Sequence, residues 1–349
     1  MKTKLLATCA MLAITGAASA QSSVTLFGVL DANIAHGSGS IASRTRLHNS
    51  GISSSRIGFR GTEDLGGGLY TAFWIESQMM NDDGTGQASN TNNQTTGIPA
   101  GTQGFAFNRK STVSLGGTWG ELRLGRDYVP HYLNLGVFDP FNNNGVGASQ
   151  TLISTSALPT AVRASNSVGY LLPPNMGGLY GQGMYYVGEN ASNAADRDDG
   201  RGASIRVGYT MGNFDFAVAS GRTRYQAGDH AFRNVGASWT YGSFKLLGQL
   251  SRNAVGAVDG RGWVGGAHWY AGAGVVRLAI SDYETNALGQ PRTRKLAVGY
   301  THQLSKRTAL YTTYARVRNS GGASTALNTA LTAPNAASSG YDIGIRHDF

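Results

Sequence analysis

The chain has 349 residues, with 29 Lys+Arg against 20 Asp+Glu, 50 Gly, 8 Pro and a single Cys. Charged residues make up 14%, against about 25% in an ordinary soluble domain, and Gly stands at about twice its usual share. So much Gly excludes a mainly helical protein, because each interior helix Gly costs about 1 kcal/mol relative to Ala. The 16 Tyr, 12 Phe and 5 Trp exclude a disordered chain.

Lys2 and Lys4 precede an apolar run from Leu5 to Ile14, and Ala18-Ser19-Ala20 makes an A-x-A cleavage site before Gln21. This pattern is a secretory signal sequence, too short for a membrane span. Cys9 lies too near the start for a lipoprotein cleavage signal and reads as filler of the apolar run. The predicted division is residues 1–20, cleaved, and one domain over 21–349, which enters an oxidising compartment without a cysteine to cross-link. Beyond Gln21 no apolar run approaches the ~20 residues of a membrane helix. A helical inner-membrane protein is therefore excluded, leaving a soluble secreted protein or a transmembrane β-barrel.

Alternation decides between these two. Candidate strands fall at about 24–35, 51–63, 69–79, 105–115, 121–128, 163–172, 179–187, 203–211, 214–222, 233–241, 244–252, 261–270, 275–284, 293–303, 309–317 and 340–349. In the tenth, Val235, Ala237, Trp239 and Tyr241 alternate with Asn234, Gly236, Ser238 and Thr240, a period of two with an apolar and a polar face. In the last, Tyr341, Ile343, Ile345 and Phe349 oppose Asp342, Gly344, Arg346 and Asp348. Tight turns at Gly66-Gly67-Gly68, Gly116-Gly117, Gly177-Gly178, Gly212-Asn213, Gly242-Ser243 and around Gly272 use residues that tolerate positive φ. Long polar stretches at 81–104, 129–162, 189–202 and 318–339 lie between the hairpins. Short turns at one end and long loops at the other mark an outer-membrane barrel. Sixteen strands enclose an aqueous channel, put both termini on one side, and need only half of each strand to be apolar.

Several segments resemble the trimeric general porins of Gram-negative bacteria, especially the β-proteobacterial type. They are Val24-Thr25-Leu26-Phe27-Gly28, the hairpin Ser55-Arg56-Ile57-Gly58-Phe59-Arg60-Gly61-Thr62-Glu63-Asp64-Leu65-Gly66-Gly67-Gly68-Leu69, Leu124-Gly125-Arg126, Leu304-Ser305-Lys306-Arg307-Thr308-Ala309-Leu310-Tyr311, and the terminal Phe349. The resemblance implies an all-β, 16-stranded antiparallel transmembrane barrel with short periplasmic turns, long extracellular loops and a third loop folded inward. It also implies a homotrimer in the outer membrane, in contact with lipid and lipopolysaccharide, with Phe349 as the signal read by the assembly machinery. The third loop would be 129–162, containing Phe138-Asp139-Pro140-Phe141 and Asn142-Asn143-Asn144-Gly145. Connections of such length are usually functional or disordered, and this one's aromatic and Pro content argues that it is folded.

Parity places pore residues. Arg56 and Arg60 oppose Ile57 and Phe59 and should face the lumen; Glu76 does so opposite Phe73 and Ile75. Arg163 opens a strand on the parity opposite Val168 and Tyr170. By resemblance, Arg56, Arg126 and Arg163 match the basic ladder facing the constriction loop, with Asp139 as the loop carboxylate. Arg126 shares parity with Leu122 and Leu124, so this match needs a bend or bulge before it. A positive wall opposed by a loop acid would sort ions by charge in a narrow, low-dielectric passage. Without its first 20 residues the chain keeps 27 basic and 20 acidic side chains, a net +7, and 23 of the 27 are Arg. Arg stays charged at any accessible pH, so anion preference is predicted. The bland reading of the surplus is that it lies on loops and rims, against lipopolysaccharide phosphates.

Other features weigh little. Asp196-Arg197-Asp198-Asp199-Gly200 lacks the spacing and final Glu of a calcium loop, so a solvated loop is favoured over a divalent ion bridged to lipopolysaccharide. The seven His are scattered without metal-ligand spacing. Gly66-Gly67-Gly68 precedes no helix and is a turn, not a phosphate cradle. Dispersed Arg in a secreted chain argues against nucleic acid. The leading function is therefore passive diffusion of small hydrophilic solutes and ions without cofactor or catalysis. A substrate-specific porin with a binding site at the constriction is the main rival. A barrel enzyme would need a nucleophile beside a base, and a soluble propeller or lectin would need blade repeats; neither stands out.

Overall fold

A computed structural model describes residues 23–97 and 104–349; the expected signal sequence, 1–20, lies outside the described residues. One antiparallel sheet holds eighteen strands. In chain order they are β1 (Ser23–Ser38), β2 (Arg44–Asn49), β3 (Arg56–Gly66), β4 (Leu69–Met80), β5 (Thr85–Gly86), β6 (Lys110–Gly117), β7 (Gly120–Tyr128), β8 (Arg163–Leu171) and β9 (Leu179–Tyr186). They continue as β10 (Gly202–Met211), β11 (Phe214–Thr223), β12 (His230–Tyr241), β13 (Phe244–Val255), β14 (Val258–Ala271), β15 (Gly274–Thr285), β16 (Arg292–Gln303), β17 (Thr308–Ser320) and β18 (Ser338–Asp348). β2 and β3 both pair with β1, end to end, and β5 is a two-residue hairpin arm on β4. The wall is thus sixteen strands thick in circumference. β1 also pairs with β18, from Val29 opposite Asp348 to Ser38 opposite Ser339, and the sheet closes.

Alternation is realised cleanly. Along β17, Ala309, Tyr311, Thr313, Ala315 and Val317 are buried on the inside, while Leu310, Thr312, Tyr314 and Arg316 are exposed on the outside. The terminal Phe349 extends the closure: its main chain exchanges two hydrogen bonds with Gly28, at 3.0 and 3.1 Å. Its ring occupies the space a Cβ at Gly28 would need.

Strand ends move by a few residues, β2 and the two-residue β5 fall outside the candidate strands, and two strands begin later than the sequence reading placed them. The expected strand 51–63 is interrupted, because the Asp31 carboxylate accepts the N–H groups of Ile52 (2.9 Å) and Ser53 (2.8 Å). Those donors are drawn out of the ladder, and Ser50 turns with φ 67°. The strand expected from 105 begins at Lys110.

Residues 129–162 fold into the barrel as two short helices, α1 (Pro130–Val137) and α2 (Gln150–Thr155), joined by an irregular arm. The far wall receives them with glycines on its inner face. A Cβ at Gly236 would lie 2.2 Å from the Phe138 ring, one at Gly266 2.4 Å from Pro140, and one at Gly299 2.8 Å from Phe141. His131 stacks on Phe232 with ring centroids 4.6 Å apart and bonds Ser204 Oγ at 3.0 Å. Charged groups fasten the arm. Lys295 Nζ donates to the carbonyls of Val146 and Ala148, and Asp342 accepts the Val146 N–H at 2.9 Å.

Gly236→Leu is expected to push Phe138 off the wall, at a strain of about 1–3 kcal/mol typical of overpacking. The barrel should still fold, and single-channel conductance should change; wild-type conductance in this variant would show that the loop is not seated through Phe138. Burial pushes the His131 imidazole down to about 3 from an ordinary 6.5. A folded-state value below the unfolded one favours the neutral ring, so its contribution is complete above pH 6.5 and is lost as pH falls toward 3. Thermal stability between pH 7 and 4 should therefore fall less in His131→Phe than in wild type.

Candidate pore constriction

The wall facing α1 is built by β3, β4, β6, β7 and the start of β8. Arg56 and Arg60 on β3 sit opposite Gln78 and Trp74 of β4, on the face that also carries Glu76. Glu76 Oε2 lies 3.7 Å from Arg56 Nε, and Oε1 accepts from the Nε of Arg109, just before β6. One carboxylate thus serves two guanidiniums, and it is itself buried. Breaking such a buried pair from one side leaves an uncompensated charge.

Tyr128, the last residue of β7, ties this cluster to the loop. Its hydroxyl accepts from Arg109 Nη2 and from Arg163 Nη2, both at 2.6 Å. The Arg163 guanidinium lies 4.2 Å from the Tyr128 ring centroid, and the other side of the aromatic stack is Tyr132 of α1, 5.3 Å away. Arg163 also donates Nε to the Arg109 carbonyl at 2.9 Å. Arg163 is thus held beside Arg109 by a phenol and a main-chain oxygen, with no acid of its own, while Arg109 keeps Glu76.

The irregularity required for Arg126 is present. Gly125 has φ 119°, a conformation that suits a residue without Cβ, and the β7–β8 register shifts between Gly125 and Asp127. Arg126 is part-buried and does not point at lipid. Its Nε donates to the Asn108 carbonyl (2.6 Å), and its Nη1 donates to the Asn90 carbonyl (3.1 Å) and Ser165 Oγ (2.8 Å). Arg126 thereby fastens the returning loop 81–109 to the wall.

Arg60 is the most open cation of the group. Its guanidinium lies 5.2 Å from both the Phe27 and the Trp74 ring centroids, is exposed, and has no carboxylate partner among the described residues. Arg56 keeps 26% of its side chain exposed. A second network lies alongside: Lys110 with Asp127 at 3.2 Å, and Arg123 with both Asp127 and Glu121 at 2.8 Å.

Asp139 differs from the sequence expectation. Rather than face the arginine wall, it is buried within the loop, where Oδ1 accepts the Phe141 N–H (2.7 Å) and Oδ2 the Ser149 N–H (2.8 Å). In Asp-Pro-Phe the carboxylate is spent on the turn that follows it, as Asp side chains commonly are. Sequence reasoning also missed Arg109, Tyr128 and Tyr132. Arg109 adjoins Lys110; register sets Lys110 opposite Glu76, yet it is Arg109, just before the strand, whose side chain reaches the carboxylate, while Lys110 turns to Asp127. Asp198, the centre of the acidic loop segment, is paired with Arg201 (3.0 Å) and Arg224 (3.5 Å).

Glu76→Gln removes the negative charge from this cluster. It is expected to increase anion preference in reversal-potential measurements under a salt gradient; a shift toward cations would show that Glu76 does not border the ion path.

Comparison with known proteins agrees with this architecture. A family model described as Gram-negative porin matches residues 7–322. Outer membrane porin protein 32 of Delftia acidovorans is 35% identical over 371 aligned residues, covering 100% of both chains. The solved anion-selective porin from Comamonas acidovorans superposes with a TM-score of 0.82 at 32% identity, over 94% of this chain and 100% of that one. The outer-membrane protein OmpT of Vibrio cholerae, at 13% identity and a TM-score of 0.66, shares the fold.

Proposed function

The chain belongs to the Gram-negative porin family and forms a water-filled channel through the outer membrane, and from that premise we propose that its pore prefers anions, selected by the arginine wall facing the folded-in loop. Family and fold point to a channel rather than an enzyme. Small hydrophilic solutes and ions cross it down their gradients. The observation that carries the preference is the gathering of Arg56, Arg60, Arg109, Arg126 and Arg163 on one wall, where the only carboxylate paired with any of them among the described residues is Glu76, shared by Arg56 and Arg109. With low-dielectric walls close by, such a surplus focuses positive potential into the passage and raises the local anion concentration. The anion-selective Comamonas relative supports the same sign.

The arginines divide by access. Arg109, Arg126 and Arg163 spend their donors on protein oxygens and contribute mainly through their field. Arg56 and Arg60 remain open to a passing ion. Three further parts of the reading concern the assembled protein: residues 1–20 are removed on export, leaving 21–349; the mature barrel is a homotrimer; and Phe349, placed at the closure of the sheet, is the signal recognised during assembly. Contact with lipid and lipopolysaccharide on the outer face completes it.

Planar-bilayer recording of refolded protein under a salt gradient tests the charge assignment. Insertion in steps of three with an anion-selective reversal potential is expected. Arg56→Ala and Arg60→Ala should each reduce that preference more than Arg163→Ala does, with trimers intact. Cation preference in the wild-type channel would sink the charge argument while leaving the channel itself in place.

A further inference from the structure

The outer face of the barrel carries a second arginine array, unrelated to the pore. Register places Ser220 of β11 opposite Arg233 of β12, Arg233 opposite Arg252 of β13, and Arg252 opposite Arg261 of β14. Arg261 is opposite Glu284 of β15, and Glu284 opposite Arg292 of β16. The row faces outward, because the same parity carries Val235, Leu250 and Trp263, all exposed apolar side chains of the lipid face. Like charges directly opposite on neighbouring strands destabilise a sheet. Here three arginines adjoin one another, with a single acid at one end of the run.

The acids that are present are already committed. Glu284 pairs with Arg261 and with Arg292 at 3.5 Å, and Asp282 pairs with Arg292 at 3.0 Å and Arg294 at 2.7 Å. Arg233 and Arg252 are exposed, and their side chains have no ion pair, hydrogen bond or ring contact among the described residues. Arg261, despite its partner, keeps 74% of its side chain exposed.

The array also sits at a defined height. From Arg233 to Tyr241, β12 advances roughly 27 Å, or about 20 Å of membrane thickness at a tilt near 40°. Tyr241, Phe244 and Trp269 form an aromatic rim at the short-turn end. Arginines stand where the matching rim at the long-loop end would be. A groove of ≈ 820 Å³ opens on the outer face, lined by the apolar Ile205, Val207, Val218, Leu250 and Trp263, by Arg233, Arg252, Arg261 and Arg292, and by the already paired carboxylates of Asp282 and Glu284. An apolar groove bordered by guanidiniums, of which Arg233 and Arg252 have no acid partner among the described residues, is complementary to one kind of amphiphile: acyl chains joined to a head with more than one phosphate. Arg suits this better than Lys, since its planar fork can bond phosphate oxygens in pairs.

We propose that this face of β11–β16 is a binding site for the diphosphorylated glycolipid anchor of lipopolysaccharide, with its phosphates between Arg233, Arg252 and Arg261 and its acyl chains in the groove. The proposal rests on the outer-membrane channel reading and adds a site to it. The full-length trimer in detergent would be titrated with diphosphoryl lipid A, monophosphoryl lipid A and phosphatidylethanolamine, and bound lipid counted by native mass spectrometry. Binding in the order diphosphoryl, monophosphoryl, phosphatidylethanolamine is expected, with the Arg233→Ser/Arg252→Ser double variant at least tenfold weaker for the first. Unchanged diphosphoryl binding in that variant overturns the site. So does dissociation of its trimers at wild-type lipid affinity, which would assign the face to a second copy of the chain. Conductance of the same preparations separates the two readings: the variant is expected to conduct as wild type, and a non-conducting wild type would fail the channel reading instead.

Discussion

Closure of the sheet onto itself governs this molecule. In hydrocarbon an unpaired N–H or C=O has no water to turn to, so an open edge of ten residues would carry several kcal/mol per orphaned group. β1 meets that demand twice, pairing with β18 along its upper half and with β3 along its lower half. The last residue, Phe349, completes the seam against Gly28. Once the seam is closed, the inside of the barrel is a separate solvent compartment, and every inward side chain answers to water, to ions or to the folded-in loop.

That loop is why charge in the lumen cannot be read as pore chemistry residue by residue. A segment of 34 residues laid inside a channel brings its own backbone polar groups, and these need partners. Asp139, Lys295 and Asp342 supply them, and so are consumed in holding the loop. Glycines on the receiving strands let Phe138, Pro140 and Phe141 approach the wall. On the opposite side no such consumption occurs among carboxylates, since Glu76 is shared between Arg56 and Arg109 while Arg163 and Arg126 rest on a phenol, a hydroxyl and carbonyls. The net positive field there follows from that imbalance.

The net charge of the chain has a second destination. Arg233, Arg252 and Arg261 line up outside the barrel, at the edge of the apolar band, facing away from the lumen. The composition alone therefore overstates the charge of the pore. Two populations of arginine, one facing water in the lumen and one facing the membrane boundary, arise from the same residue type because strand parity sends neighbours to opposite solvents.

Much of this architecture was legible in the residues themselves. Period-two alternation, Gly-rich turns and the contrast of short and long connections depend only on local chemistry, and they located sixteen strands, the lumen parity of Arg56, Arg60 and Glu76, and 129–162 as a long connection; that this loop folds inward came from the family resemblance. Arg126 shows the boundary of such reasoning: its parity pointed to lipid, and only the positive φ of Gly125 and the shifted register beside it turned the side chain under loop 81–109. Asp139 shows it again, because a carboxylate's partner inside a folded loop depends on where that loop's own backbone goes. Tyr128 and Arg109 became part of the constriction through pairings between strands and a helix far apart in sequence. Local alternation determines which solvent a side chain meets; which partner it finds there is decided by register and loop docking, which exist only once the barrel has closed.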